Sequence, residues 1–441
     1  MNVLGLDVGS SSIKAGILRK GKLTGRAVRA AFATHYDGDR AEVSADAVLR
    51  ALAHAIDQLG PAVRKVEVIA MSVMAASWVA MDHDGRAITP VVTHQDRRSV
   101  DAAHALIDAV GKRRILSISG NLPIPGGISS TTWKWFLDHE PRLMRKADLV
   151  GHLQTFLHRQ LNGARVVDPS HASFMGIYQT LTQRGWSDEL CEAVGASEHQ
   201  LPQLVEAEGV AGMVTRGAGQ HFGLTHGTPM LVGCVDTSAA MLLAGTKPGQ
   251  LLDVSGSTDV LALCTDKPKP HEHLLTRALG MGACWLSVST IAAAGSSLSW
   301  AKDQLFTDLT EKEFFKLVDE LAPSAGEEAG DVTFEPYLAG SRTSVEQRRA
   351  AFGGLTLSTT RRQMLAAIIE SLARASAQRL DLMKQVNGVR IRNQVILSGG
   401  ARASLGKVLR RDWPKTFSES EEIGSRKRRT QKTGPNTFIE S

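Results

Sequence analysis

Two short apolar runs open the chain. Residues 3–8 and 13–18 are mostly apolar, whereas residues 9–12, Gly-Ser-Ser-Ser, are small or polar. Alternation of this kind predicts two strands joined by a tight, hydroxyl-rich turn. Because Asp7 stands at the end of the first run, the pattern also places a carboxylate beside that turn.

The same kind of reading extends through the first half of the chain. Residues 66–73 and 78–82 are strand-like, and residues 101–110 and 141–160 carry the apolar spacing of helices. Strands interleaved with helices are typical of an α/β protein.

Near residue 228 the pattern starts again. A strand is predicted at residues 230–235, a helix at 237–244 and a second strand at 250–254. A long helix at 361–384 and a final strand at 394–397 follow. The second half thus echoes the first. We expect two α/β lobes, residues 1–228 and 229–414.

Composition adds a few limits. The chain has 441 residues, 43% hydrophobic and 22% charged, which is enough for two sizeable cores. No apolar run is long enough to span a bilayer and no signal segment precedes the first strand, so we expect a cytoplasmic protein with no membrane partner. The four cysteines are scattered and are interpreted as reduced core residues.

Residues 415–441 lose the apolar periodicity and are rich in Ser, Glu, Lys and Arg, which predicts a polar, basic and disordered tail. Its cluster Arg426-Lys427-Arg428-Arg429 is open to two interpretations, a nucleic-acid or targeting patch and a solvated tail, and we favour the second. The net charge of +6 fits a nucleotide as well as a nucleic acid, and we expect no nucleic-acid partner.

The first turn has the composition of a phosphate cradle. Gly9, Ser10, Ser11, Ser12 and Lys14 follow Asp7, so backbone N–H groups and side chains can converge on phosphate oxygens. The alternative is an ordinary hairpin with a Gly-Ser turn.

Asp236 is the second carboxylate of interest. It follows the apolar run 231–235 and precedes small residues, as expected at a junction of strand and helix that faces a cleft. There it can accept a proton from a hydroxyl group. The alternative is a helix N-cap, which Asp also favours.

Two further turns are weaker signals. Gly256, Ser257 and Thr258 form a second small, hydroxyl-rich turn, and Gly399, Gly400 and Ala401 would let a ring approach bare backbone. Glycine pairs at turns are usually only turns.

Taken in order, these segments resemble the FGGY family of carbohydrate kinases over roughly residues 1–412. The resemblance is carried by residues 7–14, 82–85, 94–98, 163–173, 233–236, 256–258, Gly295 with Trp300, 334–343 and 399–401. The stretch Asp168-Pro169-Ser170-His171-Ala172-Ser173 is the most specific match.

The resemblance implies two actin-like, ribonuclease H-like lobes that close on ATP, Mg²⁺ and a small sugar or polyol. It implies direct phosphoryl transfer with Asp236 as the base and as a sugar contact, Asp7 orienting the metal, and the turn residues with Gly295 holding ATP. The oligomeric state stays open, and a homodimer is the commonest soluble assembly.

The sugar side departs from the family pattern. Met74-Ala75-Ala76-Ser77-Trp78 lacks the usual Gln and His, and His94 replaces a Trp ahead of Asp96. Trp78, Asp96 and Arg98 are the candidate sugar contacts. Trp78 as a core residue, and Asp96 with Arg98 as a solvated pair, are the alternatives.

The C-terminal segment also departs from the family, whose members continue to a Gly- and Ala-rich helix under the nucleotide. A late change of reading frame would produce the tail seen here. Two rival functions follow: a catalytically impaired sugar-binding relative of these kinases, and an actin-like ATPase of chaperone or filament type, which the sugar-side segments disfavour.

Overall fold

Two mixed β-sheets with the same strand arrangement form the centres of the two halves of the chain. The computed structural model describes residues 1–399 and 403–423. We refer to residues 1–235 as the first lobe and to residues 251–423 as the second lobe; a single helix connects them.

The first lobe contains most of the strands. They are β1 Asn2–Val8, β2 Ser12–Arg19, β3 Lys22–Ala31, β4 Thr34–Asp37, β5 Arg40–Val43, β6 Val68–Val73, β7 Ser77–Met81, β8 Val91–Thr93, β9 Leu149–His152, β10 Val166–Val167, β11 Gln203–Leu204, β12 Val210–Met213, β13 Pro229–Leu231 and β14 Cys234–Val235. Its helices are α1 Ala45–Gln58, α2 Val100–Val110, α3 Lys112–Ser119, α4 Ser129–His139, α5 Pro141–Met144, α6 Leu153–Leu161, α7 Pro169–Met175, α8 Asp188–Val194 and α9 Arg216–Phe222, with 3-10 turns at Gly60–Lys65 and Glu198–Gln200.

The connecting helix is α10 Asp236–Ala244. The strands of the second lobe are β15 Leu251–Ser255, β16 Asp259–Thr265, β17 Leu275–Ala278, β18 Trp285–Ile291, β19 Thr333–Glu335, β20 Ala351–Gly353, β21 Gln394–Ser398 and β22 Ser418–Ile423. Its helices are α11 Gly295–Leu305, α12 Glu311–Leu321, α13 Ala325–Ala329, α14 Arg361–Asn387 and α15 Ala403–Leu409, with a 3-10 turn at Ala322–Ser324.

The strand order shows the internal repeat. In the first lobe the order is β12-β13-β6-β1-β2-β3, with β14 also paired to β6. Strand β1 is antiparallel to β2 and parallel to β6, and in the second lobe β15 is antiparallel to β16 and parallel to β21. The second sheet runs β17-β18-β16-β15-β21-β22. The predicted echo between the halves and the two-lobed α/β class are confirmed.

Each lobe buries its own apolar core. In the first lobe, strand residues Leu4 and Ile13 and helix residue Leu52 are completely buried. Helix α1 packs there because its apolar positions share one face, and Ser44 caps its N-terminus by accepting a hydrogen bond from the N–H of Ala47 (3.3 Å). In the second lobe the long helix α14 buries Leu365 and Ile369 in the same way.

Three sequence predictions need correction. The lobe boundary does not lie at residue 228, because β13 and β14 pair with β6 in the first sheet. The helix predicted at 141–160 is interrupted by β9, which pairs with β7. The tail predicted from residue 415 contains β22, which is parallel to β21; residues 424–441 lie outside the described residues.

Candidate active site between the lobes

The two candidate carboxylates lie at the same edge of the first sheet. Asp7 in β1 is in register with Ser72 in β6, and Cys234 in β14 pairs with Ser72 from the other side. Neighbouring strands are about 4.8 Å apart, so the end of β14 lies about 10 Å across the sheet from Asp7. Asp236 follows β14 directly, at the first residue of α10.

Asp236 does not cap its helix. Val235 holds the N-cap position without a side-chain bond, so the N-cap alternative is wrong. The Asp236 side chain is accessible to solvent, and its Oδ1 accepts hydrogen bonds from the N–H (2.6 Å) and Oγ1 (3.1 Å) of Thr237. Its Oδ2 accepts none from the residues that the structure describes.

The surroundings of Asp236 favour its neutral form. Protein packed around the carboxyl group disfavours its ionisation and raises its pKa, and the negative charge of Asp7 acts in the same direction. The hydrogen bonds from Thr237 and the charge of Arg277 oppose this effect. A carboxylate with a raised pKa in a cleft is better suited to accept a proton than an ordinary surface Asp.

The segment 168–173 holds the strand that precedes Asp236. The Asp168 carboxylate caps α7 by accepting from the N–H of Ser170 (2.8 Å) and of His171 (3.3 Å). The hydroxyl of Ser170 in turn accepts a hydrogen bond from the N–H of Val235 (3.0 Å). This polar, buried segment therefore positions the start of α10.

At the first turn, Gly9 N–H donates to the Ser12 carbonyl (3.0 Å), which closes a hairpin. Ser10 and Ser11 are exposed, whereas Ser12 is buried and its hydroxyl accepts from Nε of Arg29 (3.0 Å). Only two of the three predicted hydroxyl groups are thus accessible. The segment is therefore a hairpin, and its two accessible hydroxyl groups leave it able to bind phosphate as well.

Asp7 has two polar partners beside this turn. Lys14 Nζ lies 3.0 Å from Oδ2, and the hydroxyl of Ser72 donates to Oδ1 (3.2 Å). The ion pair is exposed, so it can open when an anionic ligand competes for Lys14.

The second turn is built against the start of α11. Gly256 N–H donates to the Thr258 carbonyl (2.8 Å), and the carbonyl of Ser257 accepts from the N–H of Ala294 (2.9 Å) and of Ser296 (3.1 Å). A Cβ on Gly295 would lie 2.5 Å from the Gly256 carbonyl oxygen. Only glycine permits this close approach, so Gly295 joins the turn to the helix.

Gly399 closes the same corner. Its φ is +105°, and a Cβ there would lie 2.2 Å from the Ser255 carbonyl oxygen. The structure therefore brings the predicted residues 256–258, Gly295 and Gly399 together. Gly400 and Ala401 lie outside the described residues.

Trp78 is not at the cleft surface. It is 1% exposed and its ring stacks on Phe136, with centroids 4.7 Å apart. Its place in β7 directs it into an apolar cluster with Trp133 and Met175. The core alternative is correct, and Trp78 as a sugar contact is wrong.

Asp96 and Arg98 bind each other. Asp96 is completely buried; its Oδ2 accepts from Nη2 of Arg98 (2.7 Å) and from the N–H of Ala41 (2.8 Å). Arg98 also pairs with Glu42. These contacts leave neither side chain free for a sugar in this conformation. The alternative, a solvated ion pair, is correct about the pairing but not about the solvent, because the pair is buried.

Two arginines that the sequence reasoning did not select lie beside Asp236. Arg277, in β17, lies with its guanidinium carbon 3.8 Å from the ring centroid of Phe174. Arg342 donates from Nη2 to Nε2 of His94 (2.8 Å). The signal available in the sequence was an arginine inside the apolar segment 274–279.

Burial is the main influence on both arginines. It lowers the pKa of Arg277 to about 9 and that of Arg342 to about 10, although the charge of Asp236 opposes the shift in both. Burial and the two neighbouring arginines also hold the pKa of His94 well below its usual value. His94 is therefore neutral near pH 7.

A cavity of about 530 Å³ opens between the lobes. First-lobe residues His94, Arg97 and Ile124 and second-lobe residues Tyr337 and Arg342 line it. This volume is in the range of small-molecule sites.

Asp7 is the candidate ligand for a magnesium ion. Among the described residues no three His, Cys, Asp or Glu side chains form a metal-binding group. Mg²⁺ in phosphoryl-transfer sites commonly takes one or two carboxylates, with water and substrate phosphates completing the shell. Asp7, beside the first turn, fits that requirement.

Two lobes with repeated sheets, a hydroxyl-rich turn in each lobe and a carboxylate at the edge of the first sheet are the features of an actin-like phosphotransferase. Sequence comparison identifies the branch. The N-terminal domain of the FGGY family of carbohydrate kinases matches residues 2–243, and its C-terminal domain matches residues 252–405. The chain belongs to this family, and it is an ATP-dependent carbohydrate kinase.

Relatives agree with this assignment. The chain is 25% identical over 426 residues to a xylulose kinase of Escherichia coli (strain K12), covering 93% of this chain and 84% of that protein. It is 24% identical over 423 residues to an L-fuculokinase of Salmonella typhi, covering 91% and 85%.

Solved structures show the same fold. A kinase from Brucella ovis described as a xyloylose kinase superposes with a TM-score of 0.80 at 25% identity, covering 93% of this chain and 84% of that one. Plasmodium falciparum glycerol kinase with ADP superposes with a TM-score of 0.79 at 16% identity, with the same coverage, and supports the fold alone. Among the described residues no helix is long and apolar enough to cross a membrane.

Proposed function

We propose that this kinase transfers the terminal phosphoryl group of ATP directly to a hydroxyl of a monosaccharide-sized substrate, with Asp236 as the general base. The observation that carries the proposal is the position of Asp236. It follows β14 at the edge of the first sheet that also carries Asp7, and its Oδ2 accepts no hydrogen bond from the described residues.

The phosphates are assigned to the two turns. Backbone N–H groups and hydroxyls at residues 9–11 and 256–258 would hold them from opposite lobes, and Lys14 adds a positive charge. Asp7 would hold Mg²⁺ beside the first turn. Magnesium, when bound with the nucleotide, neutralises charge on the phosphate oxygens.

Transfer then needs one proton acceptor. The sugar hydroxyl oxygen forms a bond to the terminal phosphorus as the bond from that phosphorus to the bridging oxygen breaks, and ADP leaves with the electron pair. The hydroxyl proton passes to Asp236 Oδ2, the oxygen without a hydrogen bond from any described residue. Approach of the lobes excludes water that would otherwise hydrolyse ATP.

The relatives guide the choice of acceptor. Xylulose kinases, an L-fuculokinase and gluconokinases are among them. These names, together with a cavity of about 530 Å³, support a monosaccharide or a compound of similar size as the acceptor.

The test is release of ADP from magnesium-ATP across a panel of pentoses, ketoses, polyols and sugar acids. A single strongly stimulating compound would support the proposal. Thermal stabilisation by a sugar but not by magnesium-ATP, with no ADP release, would favour the impaired sugar-binding relative. ATP hydrolysis that no sugar stimulates would favour a chaperone or filament type of ATPase.

A further inference from the structure

The cleft beside Asp236 holds more positive charge than its protein neighbours balance. Arg277 has no hydrogen bond or ion pair with any described residue, and its guanidinium lies over the face of the Phe174 ring. Phe174 packs in one cluster with Val235, the residue before Asp236, which places Arg277 near that carboxylate. A guanidinium group carries five N–H donors, and a stacked ring satisfies none of them. These donors are available to a ligand.

The strand that carries Arg277 is fixed in place. Asn121 of the first lobe donates from Nδ2 to the Thr276 carbonyl (2.8 Å) and accepts from the Thr276 N–H (3.0 Å). The N–H of Ala278 donates to the hydroxyl of Ser173 (2.9 Å). Both neighbours of Arg277 are therefore held, so its side chain is presented at a defined point.

Arg342 adds a second cation at the same place. Its hydrogen-bond partner among the described residues is neutral His94, and Asp236 is the acidic group whose charge acts on both arginines. Two guanidinium groups against one carboxylate leave a net positive charge. Holding such a charge away from water is unfavourable unless an anion compensates it.

The position of Arg342 indicates the side of the cleft on which the anion binds. Arg342, His94 and Arg97 line the cavity, whereas the residues of the two phosphate turns, Asp236 and Arg277 do not, so Arg342 connects the cavity with the group around Asp236. A planar guanidinium pairs well with a carboxylate through two parallel hydrogen bonds.

Resting on the proposed function, we propose that the acceptor is an anionic sugar, a sugar acid whose carboxylate binds Arg277 and Arg342 while one of its hydroxyl groups lies at Asp236. This assignment sets the acceptor apart from neutral ketoses such as xylulose. The competing possibility is that Arg277 contacts the transferred phosphoryl group instead.

Matched acids and alcohols separate these cases. ADP release is measured with D-gluconate against D-glucitol and with D-xylonate against xylitol, with D-xylulose alongside. We expect the acid of each pair to have the higher kcat/KM. The same compounds are tested without ATP by thermal unfolding, where the acid and not the alcohol is expected to stabilise the protein.

Three variants locate the effect. Arg277→Gln and Arg342→Gln should each raise the KM for the acid by about 10- to 100-fold, the size expected for a lost hydrogen bond to a charged group. Arg114→Gln is the matched control, because Arg114 is an exposed arginine paired with Glu189 on the surface. Arg277→Lys keeps the charge and should be intermediate, and it serves if Arg277→Gln fails to fold.

Each outcome has a defined meaning. Higher kcat/KM for the neutral compounds would overturn the inference and leave the kinase proposal intact. A fall in kcat with unchanged KM in Arg277→Gln would also overturn it, because the arginine would then act on the phosphoryl group. Stabilisation by the acid without ADP release would sustain the inference and reject the proposed catalysis.

Discussion

Arg342 of the second lobe donates a hydrogen bond from Nη2 to Nε2 of His94 in the first lobe over 2.8 Å. Nearby, Nη2 of Arg97 donates to the carbonyls of Ser344 (3.2 Å) and Val345 (2.9 Å). The loop that follows β19 is therefore bound to the loop that follows β8. His94, Arg97 and Arg342 therefore join the two lobes and also line the cavity between them.

Asp236→Asn should lower kcat by about 10²- to 10⁴-fold, because the amide cannot accept the hydroxyl proton. The KM for ATP should change little, and steady-state ADP release measures both. Asp57→Asn, on an exposed position of α1, is the control. Since the pKa of Asp236 is raised, wild-type turnover should fall as the pH drops through that pKa, above the usual range for Asp. Unchanged turnover in Asp236→Asn would remove this residue from the mechanism.

Asp7→Ala should raise the magnesium concentration needed for half-maximal turnover, because a carboxylate beside the first turn is lost. Titration of magnesium at fixed ATP measures this. Lys14→Ala removes the partner of Asp7 but not the carboxylate, so its magnesium requirement should stay closer to that of the wild type. A normal magnesium requirement in Asp7→Ala would contradict the metal assignment.

Gly295→Ala should damage the second turn. The added Cβ meets the Gly256 carbonyl at 2.5 Å and Leu405 Cδ2 at 3.2 Å, and such overpacking typically costs about 1–3 kcal/mol. We expect a higher KM for ATP and a lower free energy of unfolding. In Gly217→Ala the new Cβ has no atom within 4 Å, and alanine favours a helix by about 1 kcal/mol, so stability should be kept or gained.

Trp78→Phe should lower the free energy of unfolding by about 1–3 kcal/mol, because a completely enclosed indole is replaced by a smaller ring. The KM for the sugar should stay within about twofold of the wild type, since the side chain lies in the core. Denaturant unfolding and kinetics on the same preparation test both statements. A large rise in KM with unchanged stability would return Trp78 to the sugar site.

A buried pair of carboxyl groups lies under the second turn. The Ser255 hydroxyl is 2.6 Å from Asp253 Oδ1 and 2.9 Å from Asp259 Oδ1, and both acids are almost fully buried. Burial and the charge of Asp259 raise the pKa of Asp253 to about 7, although Arg410 lies 2.7 Å from its other oxygen.

The sign of the pH effect follows. Between about pH 4 and 7 the folded protein keeps the proton of Asp253, whereas the unfolded chain has lost it. The contribution of this group to the free energy of unfolding is therefore complete below about pH 4 and is lost as the pH rises through about 7. The stability of wild type minus that of Asp253→Asn should therefore fall between about pH 4 and 7. Chemical unfolding at several pH values measures the difference, and a flat difference would contradict the raised pKa.

The sequence was most informative where local pattern and tertiary contact agree. Strand runs at residues 3–8 and 66–73 correspond to β1 and β6, and the turns at Gly9 and Gly256 are marked by glycine and hydroxyl residues that follow apolar runs. Their positions at a cleft follow from sheet topology, which repeats in the two halves.

Other features depend on contacts between distant residues. Residues 149–152 have only weak local signals against helix, and they become β9 because β7 offers a partner. Asp96 looks like a polar ligand until another strand brings Ala41 to it and Glu42 to its partner Arg98. Arg277 was overlooked because no residue near it in the sequence indicates that Asp236 and Arg342 lie beside it in the fold.

Strand β17 ends the second sheet on one side. An edge strand exposes backbone groups that can recruit a strand from another molecule, and covering the edge is a common defence. In β17 the N–H and carbonyl of Thr276 are hydrogen-bonded to the side chain of Asn121, and the N–H of Ala278 is hydrogen-bonded to the hydroxyl of Ser173. Both partners belong to the first lobe, which therefore protects this edge of the second sheet against fibre-like association.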